Sequence, residues 1–197
     1  MLDDGFQNPS LVQDLKFLVV DSVYGLGNGR LIPAGPLRES AASGFARANA
    51  VVLMGDGAGD FARVANGPPV LRAYLMPTDD APALEGMRVV AFAGIGRPEK
   101  FFSFLELFQA EIVARHAFAD HQPYSSSTIA GILADAERAG ARVVTTAKDW
   151  VRVPTELQNR ITPIPVRVSW DAASALDALL DRLLTSQVAR GRSAPAR

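Results

Sequence analysis

The stretch that decides the fold is Arg88-Val89-Val90-Ala91-Phe92-Ala93-Gly94-Ile95-Gly96-Arg97-Pro98. Its apolar run predicts a buried β-strand, and its two glycines predict a tight turn. A helix should follow, because proline favours the first helical turn and the next apolar residues recur at helical spacing. Those residues are Phe101, Phe104, Leu105 and Phe108. The turn is either an anion site at a helix N-terminus or a plain connection, and the local sequence leaves both open.

The same alternation of strands and helices continues toward the C-terminus. A helix is expected after residues 125–128, which can cap it, and Gly140 suits its end. Its apolar stripe consists of Ile129, Ile132, Leu133 and Ala136. Strands should follow at 142–146 and 164–168, and Asp171 should cap a leucine-rich helix. Alternating strands and helices predict an α/β fold with a mainly parallel sheet covered on both faces.

The first 76 residues also contain strand patterns. Apolar runs predict strands at 15–21 and 50–54, with a helix from Pro36 to Ala50 between them. Leu71, Ala73 and Leu75 alternate with polar residues, which is typical of a half-exposed strand in a hairpin or at an edge. We therefore expect four regions: a first α/β region over 1–76, a linker over 77–86, a C-terminal α/β domain over 87–188, and a disordered tail over 189–197.

Composition excludes several classes of protein. The chain has 197 residues, a formal net charge of −1 and no cysteine. A nearly neutral chain does not favour non-specific nucleic-acid binding. Without cysteine there is no disulfide framework or cysteine-ligated zinc site. No apolar run approaches the ~18 residues that span a bilayer, and the N-terminus does not have the pattern of a secretory signal.

Four polar motifs carry the candidate chemistry. They are Leu2-Asp3-Asp4-Gly5-Phe6-Gln7, the glycine-rich run from Gly25 to Glu39, Phe118-Ala119-Asp120-His121, and Thr145-Thr146-Ala147-Lys148-Asp149. Adjacent carboxylates after an apolar residue can reach a Mg²⁺ shell, although an isolated Asp-Asp-Gly is more often a solvated turn. Long glycine-rich loops in compact domains are usually functional or disordered. His121 alone would more often be a structural residue than a catalyst.

Together and in this order, these motifs resemble the tetraacyldisaccharide 4′-kinase family of lipid A biosynthesis, from residue 2 to about residue 153. The resemblance implies transfer of the ATP γ-phosphate to the 4′-hydroxyl of a tetraacyldisaccharide 1-phosphate, with ATP and Mg²⁺ as cofactors. It implies a cytoplasmic protein peripheral to the inner membrane, with a lipid disaccharide as substrate. Exposed apolar side chains near Phe101 or in the loop from Val23 to Pro36 could contribute to membrane contact.

The resemblance also implies roles for single residues. Asp3 and Asp4 would hold Mg²⁺ and face the nucleotide, with Asp4 also catalytic. Gln7, Arg38 and Glu39 would complete the nucleotide site, with Arg38 on phosphate. His121 would act in catalysis by pairing with an aspartate of the family's N-terminal domain. The chain departs from the family pattern by carrying Gln122 where a second histidine is usual and Ala147 where glutamate is usual.

One essential part of such a kinase is not in the sequence. The chain contains no Gly-x-x-x-x-Gly-Lys-Ser/Thr run, which cradles phosphate in P-loop enzymes. We therefore expect residues 1–76 to be the C-terminal remnant of a P-loop kinase domain and the chain to be inactive by itself. One alternative is a non-catalytic remnant that only binds a ligand or partner. Another is an unrelated dinucleotide-binding domain, which would rest on the glycine turns alone.

Overall fold

A computed structural model describes residues 4–57, 67–120 and 122–191. The chain divides into two compact units, Met1–Met76 with Val168–Arg197 and Pro77–Arg167. The division falls where we expected the first region to end. It also assigns the chain from Val168 onward to the first unit, whereas we expected a single domain over 87–188. The physical reason is that the last strand joins the first unit's sheet.

The elements are as follows. In chain order they are β1 (Phe17–Asp21), α1 (Ala41–Arg47), β2 (Ala50–Met54), β3 (Val70–Pro77), β4 (Arg88–Ala93), α2 (Pro98–Leu107), β5 (Glu111–Ala117), α3 (Ser126–Ala139), β6 (Arg142–Thr146), α4 (Ala147–Trp150), a 3-10 helix (Thr155–Arg160), β7 (Ile161–Ile164), β8 (Val166–Trp170) and α5 (Ala173–Gly191).

The first unit contains a four-stranded sheet of order β1-β2-β3-β8. β1 pairs with β2, and β2 with β3, in parallel. β3 therefore lies inside the sheet, and the expectation of a hairpin or an edge strand is wrong. Val20, Val51 and Leu53 form the core, and Phe45 of α1 packs against it. The alternation that suggested an edge is real for Leu71 and Ala73, which are buried while Arg72 and Tyr74 are half-buried, but Leu75 is exposed.

The second unit confirms the predicted parallel sheet. Its strand order is β5-β4-β6-β7, and β4–β5, β4–β6 and β6–β7 are all parallel. Successive side chains of β4 enter different cores, because a strand has a period of two. Val89 and Ala91 pack with α2, whereas Val90 and Phe92 pack with α3. β4 is thus covered by a helix on each face.

The α3 prediction is confirmed in detail. The four stripe residues are all buried. The Thr128 N–H donates to Ser125 Oγ at 3.1 Å and caps the start of the helix. Gly140 ends it in the left-handed conformation, with φ of 59°. Each local signal agreed with the packing that the sheet imposes, so the sequence was sufficient here.

Three other expectations need correction. The helix expected over 36–50 covers only Ala41–Arg47, because backbone hydrogen bonds of Leu37 with Arg30 and Ile32 hold the preceding chain in a non-helical loop. The strand expected over 164–168 is two strands separated by Pro165, which has no N–H to donate. Residues 189–191, which we expected in a disordered tail, belong to α5, which runs to Gly191; residues 192–197 lie outside the described part.

Gly131 within α3 and Gly140 at its C-cap provide a matched test of the backbone conformation of this helix and its end. A Cβ at Gly131 would meet nothing within 4 Å, whereas Gly140 has a positive φ and only an ordinary contact with Arg88. We expect Gly131→Ala to raise the free energy of unfolding by about 0.5–1 kcal/mol. Gly140→Ala should lower it by about 1–2 kcal/mol through backbone strain. Hydrogen exchange of the α3 amides measures both, and equal effects of the two variants would contradict the assignment.

Candidate functional site

Two of the predicted nucleotide-site residues form an ion pair in the first unit. Asp4 has a positive φ of 51° in a turn at the start of the described chain. Arg38 donates from Nη1 to Asp4 Oδ1 at 2.9 Å and from Nη2 to Oδ2 at 3.0 Å. Both side chains are exposed, 56% for Arg38 and 71% for Asp4. The two motifs therefore meet through a bidentate contact. Asp3, the other predicted metal ligand, lies outside the described residues.

Glu39 is the centre of a second group of contacts beside this pair. Gln7 Nε2 donates to Glu39 Oε1 at 3.0 Å, and Ser43 Oγ donates to Oε2 at 2.8 Å. Arg47, the last residue of α1, also forms an ion pair with Glu39. Its guanidinium lies over the ring of Phe6, 4.8 Å from the centroid. The Ser43 and Gln7 hydrogen bonds, with the charge of Arg47, lower the pKa of Glu39.

This arrangement brings Asp4, Gln7, Arg38 and Glu39 together, as the sequence predicted. Carboxylate oxygens are the ligands that Mg²⁺ prefers, and the planar guanidinium matches phosphate oxygens. The donor set therefore fits a magnesium nucleotide. Sequence reasoning missed Phe6 and Arg47. The available signal for Arg47 was only its charge, which is opposite to that of Glu39 eight residues earlier, since Glu39 precedes the cap of α1 and shares no helix face with Arg47.

The glycine-rich run forms a loop held by its own hydrogen bonds. Asn28 Nδ2 donates to the Ala34 carbonyl at 2.9 Å, and Leu31 forms a bridge with Leu37. A Cβ at Gly35 would lie 2.2 Å from Asn28 Oδ1, so this close approach requires glycine. The loop leads from β1 to Arg38, and several of its apolar side chains face solvent: Val23, Tyr24, Leu31 and Ile32. No helix begins until Ala41, so the run does not have the strand-turn-helix geometry of a dinucleotide fingerprint.

In the second unit, the predicted catalytic residue His121 lies outside the described residues, but its flanks are described. The Gln122 N–H donates to the Ala119 carbonyl at 3.1 Å, and the Ala119 N–H donates to Gln122 Oε1 at 3.2 Å. These bonds lie just beyond the carboxyl end of β5. Gln122, which stands where the family usually has histidine, therefore makes a contact within the loop.

A buried cluster lies beside this loop at the carboxyl ends of β4 and β6. Asp149 is fully buried and accepts from Tyr124 Oη at 2.7 Å and from the Gly94 N–H at 3.1 Å. Arg152 pairs with the same carboxylate and donates to the Gly94 carbonyl at 2.7 Å. Lys148, the basic residue next to Asp149 in the same motif, is exposed. The Gly94 N–H donates to Asp149 and the Gly94 carbonyl accepts from Arg152, so this N–H is already used within the protein. Of the two interpretations of the turn after β4, this favours a plain connection over an anion site.

Sequence reasoning missed Tyr124 and Arg152. Burial and the hydrogen bond to Asp149 raise the pKa of the Tyr124 phenol, so it remains a donor at physiological pH. Arg152 lies one helical turn after Asp149, and that spacing was the only available signal. Over the ranges 4–57, 67–120 and 122–191, no group of three or more histidine and acidic side chains could hold a metal ion. In the same part of the chain, no helix has the length and apolar character to cross a bilayer.

Comparisons with known proteins show the family of the chain. A family model described as tetraacyldisaccharide-1-P 4′-kinase matches residues 1–185. The chain is 50% identical over 193 residues to the tetraacyldisaccharide 4′-kinase of Rhodospirillum rubrum, covering 95% of this chain and 58% of that protein. It is 49% identical over 195 residues to the Rhodospirillum centenum protein of the same name, covering 98% and 58% respectively. The chain thus spans less than two thirds of the length of these curated relatives.

One solved structure has a similar fold. It is a crystal structure described as an "apo" form of LpxK from Aquifex aeolicus in complex with ATP. The TM-score is 0.61 at 24% identity, with 91% of this chain and 56% of that chain covered. At this identity the likeness shows the α/β fold alone.

The contacts of Glu39 predict how the stability of the first unit depends on pH. Because the pKa of Glu39 is lowered in the folded chain, the carboxylate stabilises the fold above its ordinary pKa. That contribution is lost as the pH falls through the folded-state pKa. Glu39→Gln should therefore lower stability at neutral pH and flatten its decline between about pH 6 and pH 3. Denaturant unfolding across this range measures both effects.

The matched control is Asp177→Asn, which removes an exposed carboxylate of α5 in the same unit. We expect it to leave the shape of the pH profile unchanged. If Glu39→Gln and Asp177→Asn gave the same profile as the unsubstituted chain, the contacts of Glu39 with Ser43, Gln7 and Arg47 would not stabilise its charged form in solution.

Proposed function

Because the chain belongs to the tetraacyldisaccharide-1-P 4′-kinase family, we propose that it is part of a lipid kinase. The intact enzyme would transfer the γ-phosphate of ATP to the 4′-hydroxyl of a tetraacyldisaccharide 1-phosphate. One structural observation carries the proposal. The bidentate contact of Arg38 with Asp4 joins the two motifs that the family resemblance assigns to the nucleotide site.

In the proposed site, each residue has a chemical task. Asp3 and Asp4 would hold Mg²⁺, which neutralises charge on the β- and γ-phosphate oxygens when bound. Arg38 would exchange the Asp4 carboxylate for phosphate oxygens, so that each charge keeps a partner of opposite sign. Gln7, Ser43 and Arg47 would hold Glu39 beside it in one orientation.

His121 completes the proposed mechanism. As a member of a histidine–aspartate pair, it would orient the aspartate that accepts the proton of the sugar hydroxyl and would adjust the pKa of that aspartate. This chain has no counterpart of the phosphate-cradling loop, and positioning accounts for nearly all of a protein's contribution to phosphoryl transfer. We therefore propose that residues 1–76 are the C-terminal part of a P-loop kinase domain and that these 197 residues alone do not catalyse transfer.

Transfer of labelled phosphate from ATP to the lipid disaccharide tests this proposal. The purified chain should give no transfer above a protein-free control. A chimaera that joins it to the part of the Rhodospirillum rubrum relative that it does not cover should be active. An active chimaera whose Arg38→Gln variant loses roughly 10²-fold in rate would support the nucleotide site, since loss of one preorganised charge has that effect.

The control for Arg38 is Arg167→Gln. Arg167 is equally exposed and pairs with Asp79 in the second unit. It should leave the rate unchanged. Transfer by the chain alone would overturn the account of the missing loop. A chimaera that folds and binds but never transfers phosphate would favour the alternative of a non-catalytic remnant.

We also propose that the glycine-rich loop is the contact with the inner membrane. Val23 is 79% exposed and Ile32 63%, and the loop's internal hydrogen bonds hold these side chains away from the core. Tyr24 and Arg30 are also exposed, and both side-chain types suit an interface where one end is apolar and the other wet. In the other candidate region, Phe101 itself is buried in the second unit's core, whereas Leu107 of the same helix is exposed and is tested below.

Sedimentation with vesicles of anionic phospholipid tests the membrane proposal. Replacing Val23 and Ile32 by serine should weaken vesicle binding by roughly 30-fold or more, because each of the two apolar side chains that leave water contributes on the order of 1 kcal/mol or more. The matched control replaces Leu107 and Val151, which are 66% and 68% exposed but belong to the second unit. Equal binding by both double variants would place the membrane contact elsewhere.

A further inference from the structure

The buried carboxylate of Asp149 is not used by the proposed chemistry, yet it receives donors from four residues. They are Tyr124, Gly94, Thr146 and Arg152. A buried charge is costly unless it is paired and hydrogen-bonded, and here both oxygens are satisfied within the protein. The cluster is therefore closed to a ligand. Its contacts are suited to holding backbone in place.

The backbone that the cluster holds lies on both sides of position 121. Arg152 donates from Nη1 to the Gln122 carbonyl at 3.3 Å and from Nη2 to the Gly94 carbonyl at 2.7 Å. Its guanidinium also lies 5.2 Å from the centroid of the Tyr124 ring. That ring packs edge-on against Phe118 at 5.2 Å and Phe92 at 5.3 Å. The segment before position 121 and the segment after it are thus fixed to the same rigid strand, β4.

The backbone of Gly94 lies very close to Tyr124 and to the Ala119 carbonyl. A Cβ at Gly94 would lie 2.5 Å from Tyr124 Oη and 3.2 Å from the Ala119 carbonyl. Real Cβ contacts do not approach 2.5 Å, so any side chain at Gly94 would displace the tyrosine from Asp149. The close approach of β4 to the loop is therefore a requirement of the cluster.

We propose that Asp149, Arg152 and Tyr124 are positioning residues: they hold the described segments 118–120 and 122–124 at the carboxyl ends of β4 and β6, and through these flanks they position His121. The proposal rests on the function proposed for His121. Arg152 is the central residue, because one planar guanidinium contacts Asp149, Gly94 and Gln122 at once. Lysine carries the same charge but has a single compact ammonium, so it cannot replace this set of contacts.

Hydrogen exchange of the 197-residue chain tests the holding role. Arg152 donates to the carbonyls of Gly94 and Gln122, while their N–H groups donate to Asp149 and Ala119. In Arg152→Lys, loss of those carbonyl contacts should let both segments open more often, so the exchange rates of the Gly94 and Gln122 amides should rise about 10- to 100-fold, the scale of a lost hydrogen bond to a charged group. Tyr124→Phe should produce the same effect to a smaller extent. Amides of β4 and α3 away from the cluster should be unchanged, which shows that the unit remains folded.

The control is Arg160→Lys, which alters an exposed arginine paired with Glu137 in the same unit. It should leave the Gly94 and Gln122 amides unchanged. The chain has two histidines, so the His121 ring can be followed by NMR with His116 as an internal reference. Ring signals of His121 should change in Arg152→Lys and stay the same in Arg160→Lys.

The chimaera separates this proposal from the proposed function. Arg152→Lys should lower kcat roughly 10- to 100-fold with the KM for ATP unchanged, because misplacement of a catalytic group has that effect. Unchanged amide exchange in Arg152→Lys, or unchanged kcat when His121→Ala loses activity, would overturn the positioning role. Full activity of His121→Ala would instead overturn the function proposed for His121. If Arg152→Lys does not fold, the same measurements on Tyr124→Phe test the positioning role in its place.

Discussion

The second unit depends on the complete burial of β4. Its five residues from Val89 to Ala93 have no exposed surface, so neither face of the strand can meet water. Each face therefore requires a helix, and α2 and α3 supply one core each. Parallel neighbours on both edges satisfy the backbone polar groups that burial would otherwise leave without partners. Only where β4 ends can polar side chains approach its backbone, and this is where Asp149 and Arg152 do so.

The first unit is organised by charge rather than by burial. Arg38 and Asp4 neutralise one another at the surface, and Arg47 does the same for Glu39. Exposed pairs of this kind contribute little to stability, typically below about 1 kcal/mol. In the function that we propose, a phosphate or a metal ion would exchange with one partner of such a pair at small cost, which a buried pair such as Asp149 with Arg152 could not allow.

The sequence predicted elements best where local and tertiary preferences coincide. The apolar run of β4 and the caps and stripe of α3 were confirmed, because burial on both faces and helix chemistry leave distinct patterns. The predictions were wrong where contacts with residues far away in sequence determine the secondary structure. β3 resembled an edge strand because its period of two was visible and its neighbour β8 was not. The loop before Ser40 resembled a helix because its propensity was visible and its backbone bonds with Leu37 were not.

The candidate site follows the same rule. Motif identity indicated Asp4, Gln7, Arg38 and Glu39, and the fold brings them together. Arg47, Tyr124 and Arg152 belong to none of the four motifs, and Phe6 lies inside the first motif but was assigned no role there. Their importance comes from three-dimensional contacts: a cation over an aromatic ring, a phenol on a buried carboxylate, and one guanidinium joining three backbone or side-chain groups. The roles of Asp3 and His121 stay predictions, since both lie outside the described residues.

The path of the chain has a consequence for the order of folding. β3 and β8 belong to one sheet although the whole second unit separates them in sequence. Within that unit the Thr78 N–H donates to the Pro165 carbonyl at 3.1 Å, and Arg167 pairs with Asp79. Closing a flexible loop of about 90 residues costs roughly 4 kcal/mol of chain entropy. Once the second unit has folded, its own contacts have already met that cost. β8 then reaches β3 as a tethered neighbour, so the inserted unit acts as a template for the assembly of the sheet that surrounds it in sequence.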